Sequence, residues 1–445
     1  MTELITLREF QRYPFTIADT DGWSDPGRTL QFSTQTIETL SSINSGKEFF
    51  SIGYDSIVPQ AFVGVIQIGD LSIQIVPKFC EETTIDTARA LRNVYAMLQY
   101  IGCLPYRQAD TADIATLEAD FLEIFVRLFA NQLLDHLCQA RHVDYIQRSD
   151  ELRFLRGRIR AEKHHDPARL HLIPCTFFER SGDTLIARTL RYTCNLMERR
   201  CATAETRRVL HQIRELLVDV TLTPISVQEA DTIRFHRLNN GFRPFIDVCR
   251  LYLAGWAYHI QAGSRSTFTL LFPMEQVFER FVSTVLQREG SALFGALAPL
   301  VRVDDQPFVG YLALNERQRG EFGLRPDVRI RVPEADILLD TKYKRLDGSA
   351  SHLGVGQGDV YQMFGYAAMT DAQAILMLYP AVGPGFRRDL TFVLPDGRTC
   401  PLFIRTIDLS GDLLSRSGWN GCLASLRGCL TPIMPGFVAY PGVPC

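Results

Sequence analysis

The sequence predicts a multidomain α+β protein with a β-rich N-terminal domain, a helical middle region and a C-terminal α/β domain. The chain has 445 residues, and because domains average roughly 150 residues, two or three are expected. Hydrophobic residues make up 46% and charged residues 22% of the chain, which is typical of a folded globular protein. The spacing of apolar residues changes twice along the chain, and each change marks the start of a new region.

The N-terminal domain, residues 1–85, is predicted from a pair of strands. Phe62–Ile68 and Leu71–Val76 are rich in aliphatic residues, and they flank Gly69-Asp70, a dipeptide suited to a two-residue hairpin connection. Gln67 alternates with aliphatic residues, as expected for a sheet with one wetter face.

The middle region, residues 86–265, is predicted to be mainly helical, because apolar residues recur three and four apart. The apolar stripe from Phe121 to Phe129 is expected to lie in the core rather than to bind a cofactor. A short polar stretch, Ser264–Thr267, is a plausible boundary with the next domain. The predicted helices are Ala88–Ile101, Ala119–Ala140, Leu185–Leu217 and Pro244–Ala262.

The C-terminal domain, residues 266–408, is predicted to mix helices and strands. Pro273 suits the first turn of a helix, because proline needs no backbone donor there. The tail, residues 409–445, is rich in Gly, Pro, Ser and Cys, and the sequence assigns it no function. The predicted elements are a helix over Pro273–Gln287, strands that carry Asp327 and Asp340, a helix over Gly358–Met369 and a strand over Ala372–Tyr379.

Composition restricts the possible partners and the cellular setting. The net charge is −3, so any DNA contact must come from local basic clusters or from a partner that holds the DNA. The eleven cysteines form no Cys-x-x-Cys pair, and Cys80, Cys138, Cys194 and Cys249 lie in apolar runs, where buried reduced thiols are expected. The start lacks a signal-peptide profile and no apolar stretch approaches the roughly 20 residues of a spanning helix, so the sequence predicts a cytoplasmic protein.

The residues that most strongly indicate chemistry are Arg325-Pro326-Asp327 and Asp340-Thr341-Lys342, each beside a predicted strand. Asp340 and Lys342 are two residues apart, so their side chains point to the same face of the strand. Two carboxylates at a sheet rim suit Mg²⁺, with Mn²⁺ as another candidate, and such an ion activates water and neutralises phosphate charge. Lys342 could orient the water or stabilise the developing negative charge.

An Asp-x-Lys triplet also occurs by chance, and Asp340 and Lys342 would then form a surface ion pair, with Asp327 in a turn. The context favours a functional site instead. Ile337-Leu338-Leu339 is too apolar for a solvated edge strand, so Asp340 is expected to end a buried strand. The order of helix, strands and helix around the motif points the same way.

Together with their surroundings, these residues resemble the PD-(D/E)xK nuclease motif in the form carried by the McrC family, the nuclease subunits of McrBC modified-DNA restriction systems. Phe272–Val282 resembles that family's helix before the nuclease strands, and Asp359–Tyr366 resembles its helix after them. The resemblance covers about residues 50–380 and implies a restriction-endonuclease-like PD-(D/E)xK fold for the C-terminal domain. Three further segments resemble family motifs, namely Ile73–Lys78, Phe154–Ile159 and His236–Asn239.

The resemblance implies a role for each residue of the site. Asp327 and Asp340 would be metal ligands, and Lys342 would be the catalytic lysine. Glu279 would be the helix acid that completes the metal site. Glu275 lies one turn earlier on the same helix face, so either acid could fill this place.

Gln362 and two basic clusters are further candidates. By resemblance, Gln362 would help to position the site or the DNA backbone, and an exposed helix face is the alternative. Basic side chains on one face could follow a DNA backbone, or they could be ordinary solvated surface. His164, His165 and His171 lack the spacing of a zinc site and are expected in loops. The candidate DNA contacts are Arg325, Lys344 and Arg345, with Arg317 and Arg319 nearby, and Arg156 and Arg158, with Arg153 and Arg160 nearby.

By the same resemblance, the chain would be a Mg²⁺-dependent endodeoxyribonuclease of an antiphage restriction system that cuts double-stranded DNA with 5-methylcytosine-type modification. Residues 1–85 would contact a hexameric, McrB-like AAA+ GTPase ring and stimulate its GTP hydrolysis. The chain has no Gly-x-x-x-x-Gly-Lys-Ser/Thr loop, so GTP would be bound by the partner. The alternatives are a non-catalytic activator or scaffold of the ring with a vestigial nuclease fold, and a stand-alone structure-specific nuclease.

Overall fold

The computed structural model describes residues 3–25, 29–44, 48–78, 84–103, 120–160, 171–257, 267–333, 335–381 and 385–434. Within these ranges the chain forms eleven α-helices and twenty strands, which confirms the predicted mixed α+β class. The chain divides into two compact units. One unit combines Met1–Ile124 with Tyr258–Cys445, and the other is Phe125–Ala257.

The N-terminal part of the first unit contains two sheets. One is four-stranded with the order β1-β8-β7-β12, and the other is five-stranded with the order β3-β4-β2-β6-β5. The predicted hairpin is confirmed, because β7 and β8 are antiparallel and Ile68 faces Leu71 across Gly69-Asp70. The elements are β1 (Glu3–Arg8), β2 (Tyr13–Ile17), β3 (Gly22–Asp25), β4 (Thr29–Phe32), α1 (Thr34–Asn44), β5 (Phe50–Ile52), β6 (Ser56–Pro59), β7 (Phe62–Ile68), β8 (Leu71–Val76) and β12 (Thr267–Pro273).

Two predicted helices, Ala88–Ile101 and Ala119–Ala140, are confirmed as α2 (Thr84–Tyr100) and α3 (Phe121–Gln139). The stripe from Phe121 to Phe129 is buried, as expected. The Gln74 side chain accepts a hydrogen bond from the Phe121 backbone N–H at 2.7 Å. This contact ties the start of α3 to β8.

The second unit combines helices with a three-stranded antiparallel sheet of order β10-β11-β9, which the sequence did not predict. The prediction of one helix over Leu185–Leu217 is also wrong, because this segment forms two helices. Thr203 caps the second of them by accepting a hydrogen bond from Thr206 N–H. The elements are β9 (Asp144–Leu152), β10 (Arg158–Ile159), β11 (Ile173–Ser181), α4 (Leu185–Glu198), α5 (Ala204–Leu216), α6 (Val227–Asp231) and α7 (Arg243–Ala257). The helix predicted to Ala262 is observed as far as Ala257, and residues 258–262 lie outside the described ranges.

The C-terminal part of the first unit is built on a six-stranded mixed sheet of order β13-β16-β17-β18-β20-β19. β17, β18 and β20 are parallel neighbours, and β16 pairs antiparallel with β17. A separate hairpin joins β14 to β15. The elements are α8 (Met274–Arg288), α9 (Gly290–Phe294), β13 (Arg302–Asp305), β14 (Gly310–Leu314), β15 (Gly320–Leu324), β16 (Val328–Val332), β17 (Ala335–Thr341), α10 (Gln357–Met369), β18 (Ala374–Ala381), β19 (Arg387–Val393), β20 (Thr399–Asp408) and α11 (Arg416–Leu430).

The segment predicted as a tail contributes to this core over its described part. α11 buries Cys422, Leu426, Cys429 and Leu430, and the Asn93 side chain donates hydrogen bonds to two backbone carbonyls near residue 410. The apolar residues that precede Asp340 are fully buried in β17, as predicted.

The cysteines agree with the prediction in part. Cys194 and Cys249 are buried and unpaired, whereas Cys138 is exposed. Cys138 follows the buried Leu137 on α3, and one helical residue rotates the side chain by about 100° away from the core. Cys80 lies outside the described residues. No helix in the described part of the chain is long and apolar enough to cross a membrane.

Candidate active site

The two motifs singled out in the sequence meet at the ends of β16 and β17. Val328 faces Leu339 across the antiparallel pair, so Asp327, just before β16, lies beside the end of β17. The backbone N–H and the hydroxyl of Thr341 both donate hydrogen bonds to Asp327 Oδ2, at 2.7 and 2.6 Å. The sheet register therefore places the Pro-Asp and Asp-Thr-Lys segments side by side.

Asp340 is the most deeply buried acid of the site. The residue is 1% exposed, and Lys342 Nζ lies 2.6 Å from Asp340 Oδ2. The approach is that of an ion pair rather than of a well-directed hydrogen bond, because Oδ2 has no partner of hydrogen-bond geometry in the described residues. Burial raises the pKa of Asp340 to about 6, and the neighbouring Asp327 carboxylate contributes, while Lys342 opposes the rise.

Burial and nearby charges also change the pKa values of Asp327 and Lys342. Burial raises the pKa of Asp327, although hydrogen bonds from Thr341 and the charge of Lys342 limit the rise. Burial works against the charge on Lys342, but the carboxylates of Asp340, Asp359 and Asp327 together outweigh it, and the pKa of Lys342 is raised. At neutral pH, Lys342 is therefore a cation held against two closely spaced acids.

A chain of hydrogen bonds fixes the Lys342 side chain to α10. Lys342 Nζ donates to Gln362 Oε1 at 2.9 Å, and Gln362 Nε2 donates to the Tyr366 hydroxyl at 2.8 Å. Tyr366 in turn donates to the backbone carbonyl of Arg325 at 3.0 Å and lies 3.4 Å from Asp340 Oδ1. Gln362 thus contacts the Lys342 ammonium, although the residue itself is exposed on α10.

The two candidate acids of α8, Glu275 and Glu279, lie in different environments. Burial raises the pKa of Glu279, and the Asp327 carboxylate is the next largest cause, so Glu279 faces the acid site. Glu275 is exposed, and its charge acts on Glu9 and Lys78 instead. Of the two acids, Glu279 has the environment expected for a residue that supports the site.

Two residues at the end of β13 belong to the site and were missed from the sequence. The Gln306 side chain donates a hydrogen bond to Glu279 Oε1, and its backbone N–H donates to the Asp327 carbonyl at 2.8 Å. The negative charge of Asp305 raises the pKa of both Asp327 and Glu279. No local pattern marks these residues, because their role depends on the antiparallel pairing of β13 with β16.

Tyr366 was also missed, although the sequence carries a usable signal. It lies four residues after Gln362 on α10, and residues at this spacing share a helix face. A polar aromatic residue one turn beyond a candidate site residue could therefore have been identified as its partner.

Asp327 and Asp340 are the carboxylates that could hold a divalent cation. Their oxygen ligands suit Mg²⁺, which takes one or two carboxylates and keeps several waters, and a cation would relieve the repulsion that raises both pKa values. No group of three or more His, Cys, Asp or Glu side chains in the described ranges is arranged so that it could hold a metal ion. The residues therefore fit a site with two carboxylates, and Glu279 stands near it without completing a three-acid cluster.

The basic candidates near this site are exposed. Lys344 Nζ forms an ion pair with Asp359 Oδ2 at 2.7 Å, and the Arg325 guanidinium lies 5.6 Å from the centroid of the Phe308 ring. Arg345 is exposed. Arg325 precedes β16, and Lys344 and Arg345 follow β17. Arg317 and Arg319 lie exposed in the turn between β14 and β15.

The other basic cluster belongs to the second unit. Arg156, Arg158 and Arg160 do not lie on one continuous strand, because Gly157 has a φ of +72° and interrupts the extended backbone before the short β10. Arg156 stacks on the Phe177 ring at 4.2 Å, and Arg158 is exposed on β10. His164 and His165 lie outside the described residues.

Comparisons with known proteins concern most of the chain. A family model described as "McrBC 5-methylcytosine restriction system component" matches residues 57–380. The chain is similar to a solved structure described as "Refined half-complex from tetradecameric assembly of Thermococcus gammatolerans McrB AAA+ hexamers with bound McrC", with 19% identity, a TM-score of 0.69 and coverage of 97% of this chain and 100% of that chain. A second structure, of the Thermococcus gammatolerans McrBC complex, gives 21% identity and a TM-score of 0.49 over 64% of this chain and 87% of that chain. No curated protein matches the chain.

Proposed function

We propose, from the premise that the chain belongs to the McrBC family of 5-methylcytosine restriction system components, that it is the subunit that cleaves double-stranded DNA. The observation that carries the proposal is the ion pair of Lys342 with Asp340 beside Asp327, at the ends of two paired strands. Such a group of two acids and a lysine supports assignment of the C-terminal sheet and its flanking helices to the PD-(D/E)xK nucleases.

The residues of the site have distinct tasks in this proposal. Asp327 and Asp340 would hold Mg²⁺, or Mn²⁺ in its place, and Glu279 would support them. The bound ion would supply an activated water and neutralise phosphate charge. Lys342 stabilises the negative charge that develops on the phosphodiester, and Gln362 keeps the Lys342 ammonium in place by accepting its hydrogen bond.

We further propose that cleavage depends on a partner. The structure with the same fold is described as McrB AAA+ hexamers with bound McrC, which supports a McrB-like GTPase ring as the partner of this chain. The ring would bind GTP, and residues 1–85 would contact it and stimulate hydrolysis. Modified DNA would be delivered to Asp340 and Lys342 by this assembly, with Arg325, Lys344, Arg345, Arg156 and Arg158 as candidate contacts to the DNA backbone.

The test is cleavage of duplex DNA that contains 5-methylcytosine by the chain assembled with its GTPase partner, in the presence of Mg²⁺ and GTP. Asp340→Ala should abolish cleavage and leave both assembly and GTPase stimulation intact, because the buried Asp340 side chain contacts Lys342 and Tyr366 rather than residues 1–85. Undiminished cleavage by the Asp340→Ala complex would refute the assignment of Asp340 to a nuclease site. Robust cutting by the isolated wild-type chain would favour a stand-alone nuclease instead.

A second candidate is a non-catalytic activator of the GTPase ring. It is favoured by one observation, that residues 1–265, more than half of the 445-residue chain, lie outside the proposed nuclease domain. A double variant, Asp327→Ala with Lys342→Ala, distinguishes the two functions in a phage-restriction assay. Full restriction by this variant would support the activator, whereas its loss with normal GTPase stimulation would support the nuclease.

A further inference from the structure

A buried cluster joins the N-terminal sheet to the strand end that carries Lys342. It consists of Glu9, just after β1, Lys78, just after β8, and Tyr343, which follows Lys342. Glu9 is 2% exposed and Tyr343 is 4% exposed, and all three residues belong to the same compact unit. This group is termed the Glu9–Lys78–Tyr343 cluster.

Lys78 connects the other members of the cluster. Its ammonium donates a hydrogen bond to the Tyr343 backbone carbonyl and lies 3.9 Å from the centroid of the Tyr343 ring and 4.7 Å from that of Phe10. The Lys78 backbone N–H and the Tyr343 hydroxyl donate to the same oxygen, Glu9 Oε2, at 3.1 and 2.8 Å. Hydrogen bonds to charged groups and cation–π contacts therefore act on Tyr343 from two sides.

The Glu9–Lys78–Tyr343 cluster is not explained by a gain in folding stability alone. Burial raises the pKa of Glu9 to about 7, with Lys78 opposing the rise, and burial lowers the pKa of Lys78 to about 8, with Glu9 opposing the fall. Burying charged groups costs solvation free energy, which their mutual attraction often repays only in part. What the cluster provides is a fixed geometry between two segments that are 265 residues apart in the chain.

That geometry is fixed directly beside Lys342. The Lys342 backbone N–H donates to the Leu378 carbonyl of β18 at 2.9 Å, and the carbonyl of the next residue, Tyr343, is held by Lys78. The backbone that carries Lys342 is thus anchored on one side by the sheet and on the other by the cluster. Loss of the second anchor would let Lys342 Nζ move away from Asp340 Oδ2, which now lies 2.6 Å from it.

We propose that Lys78 is a positioning residue for DNA cleavage, which holds Tyr343 and thereby aims Lys342 at the scissile phosphodiester. The inference rests on the proposed function of the site. It also means that the N-terminal sheet, which is followed by both Glu9 and Lys78, helps to form a nuclease centre that the sequence places wholly within residues 266–408.

The first experiment measures cleavage by the complex with the GTPase partner, on duplex DNA with 5-methylcytosine, Mg²⁺ and GTP. Lys78→Met should lower the single-turnover rate at saturating DNA by about 10- to 100-fold, because a small misplacement of a catalytic group costs this much. The KM for DNA and the stimulation of GTPase should not change. The control is Arg398→Met, which removes an exposed ion pair with Asp396 outside residues 1–85 and should leave all three quantities as in the wild type. An undiminished rate for Lys78→Met would overturn the proposal.

A double variant separates positioning from a merely structural role. Lys78→Met leaves the Glu9 carboxylate buried without its cation, so it should also destabilise the fold. Adding Glu9→Gln removes that charge and should restore stability. Cleavage should nevertheless stay low, because the Tyr343 carbonyl still lacks the Lys78 donor. Recovery of the cleavage rate together with stability would overturn the proposal.

Amide hydrogen exchange of the full chain tests the geometry without relying on cleavage. The Lys342 amide should exchange at least about tenfold faster in Lys78→Met than in the wild type or in Arg398→Met, because its hydrogen bond to Leu378 opens more often. Unchanged protection would overturn the positional role of Lys78. A wild-type complex that does not cut DNA, combined with faster exchange in Lys78→Met, would overturn only the proposed function.

Discussion

Replacing Glu9 by glutamine should change how the stability of the protein depends on pH. Burial raises the pKa of Glu9 from an ordinary 4.5 to about 7, so the folded chain binds this proton more tightly than the unfolded chain does. The resulting stabilisation is present in full below pH 4.5 and is lost as the pH rises to 7. Glutamine keeps an oxygen that can accept the hydrogen bonds of Lys78 N–H and the Tyr343 hydroxyl, but it does not ionise.

The size of the effect follows from the shift in pKa. A shift of this size, from 4.5 to about 7, corresponds to about 3 kcal/mol, since one pKa unit is worth about 1.4 kcal/mol. Most of this change should occur between pH 5 and pH 8. Glu9→Gln should therefore be close to the wild type in stability at pH 5 and more stable than the wild type at pH 8.

The assay is urea unfolding of the full-length chain at both pH values, followed by tryptophan fluorescence. Glu38→Gln is the matched control, because Glu38 is exposed on α1 in the same part of the chain and should show the pH dependence of the wild type. The reasoning is refuted if the difference in unfolding free energy between Glu9→Gln and the wild type is the same at pH 5 and pH 8.

Three further substitutions test separate parts of the site and the fold. Tyr366→Phe should slow cleavage about fivefold, because it removes the hydroxyl that Gln362 contacts; an unchanged rate would contradict this. Glu279→Gln should raise the Mg²⁺ concentration for half-maximal cleavage about tenfold, whereas Glu275→Gln should not, and the reverse result would exchange their roles. Asp183→Asn should destabilise the second unit by about 1 to 2 kcal/mol, because the Asp183 carboxylate accepts two hydrogen bonds from Arg188 at 2.7 Å. An unchanged urea midpoint would contradict this.

The elements that local pattern specifies were predicted well. The apolar run before Asp340 is the buried strand β17, and the Gly69-Asp70 hairpin has the expected register. Both depend on residues close together in sequence, where spacing and turn preferences decide the conformation. The resemblance to the family, stated from residues 50–380, is confirmed over residues 57–380.

Contacts between segments that are far apart in the chain could not be predicted from the sequence. Gln306 reaches the site through strand pairing, and Lys78 reaches Tyr343 across 265 residues. The split of the predicted Leu185–Leu217 helix depends on a single capping residue, Thr203, which apolar spacing does not reveal. The exposed Cys138 shows a further limit, because it follows the buried Leu137 while its own side chain faces outward.

The central claim, that Asp340 and Lys342 act together in cutting DNA, is tested most directly by a double-mutant cycle on single-turnover cleavage by the complex. Asp340→Asn and Lys342→Met should each lower the rate by at least about 100-fold, and the double variant should be little slower than either, because residues that act as a unit are not additive. Asp336→Asn, on the same strand, should cut at the wild-type rate. Losses that simply add, or near-normal cutting by either single variant, would contradict the claim.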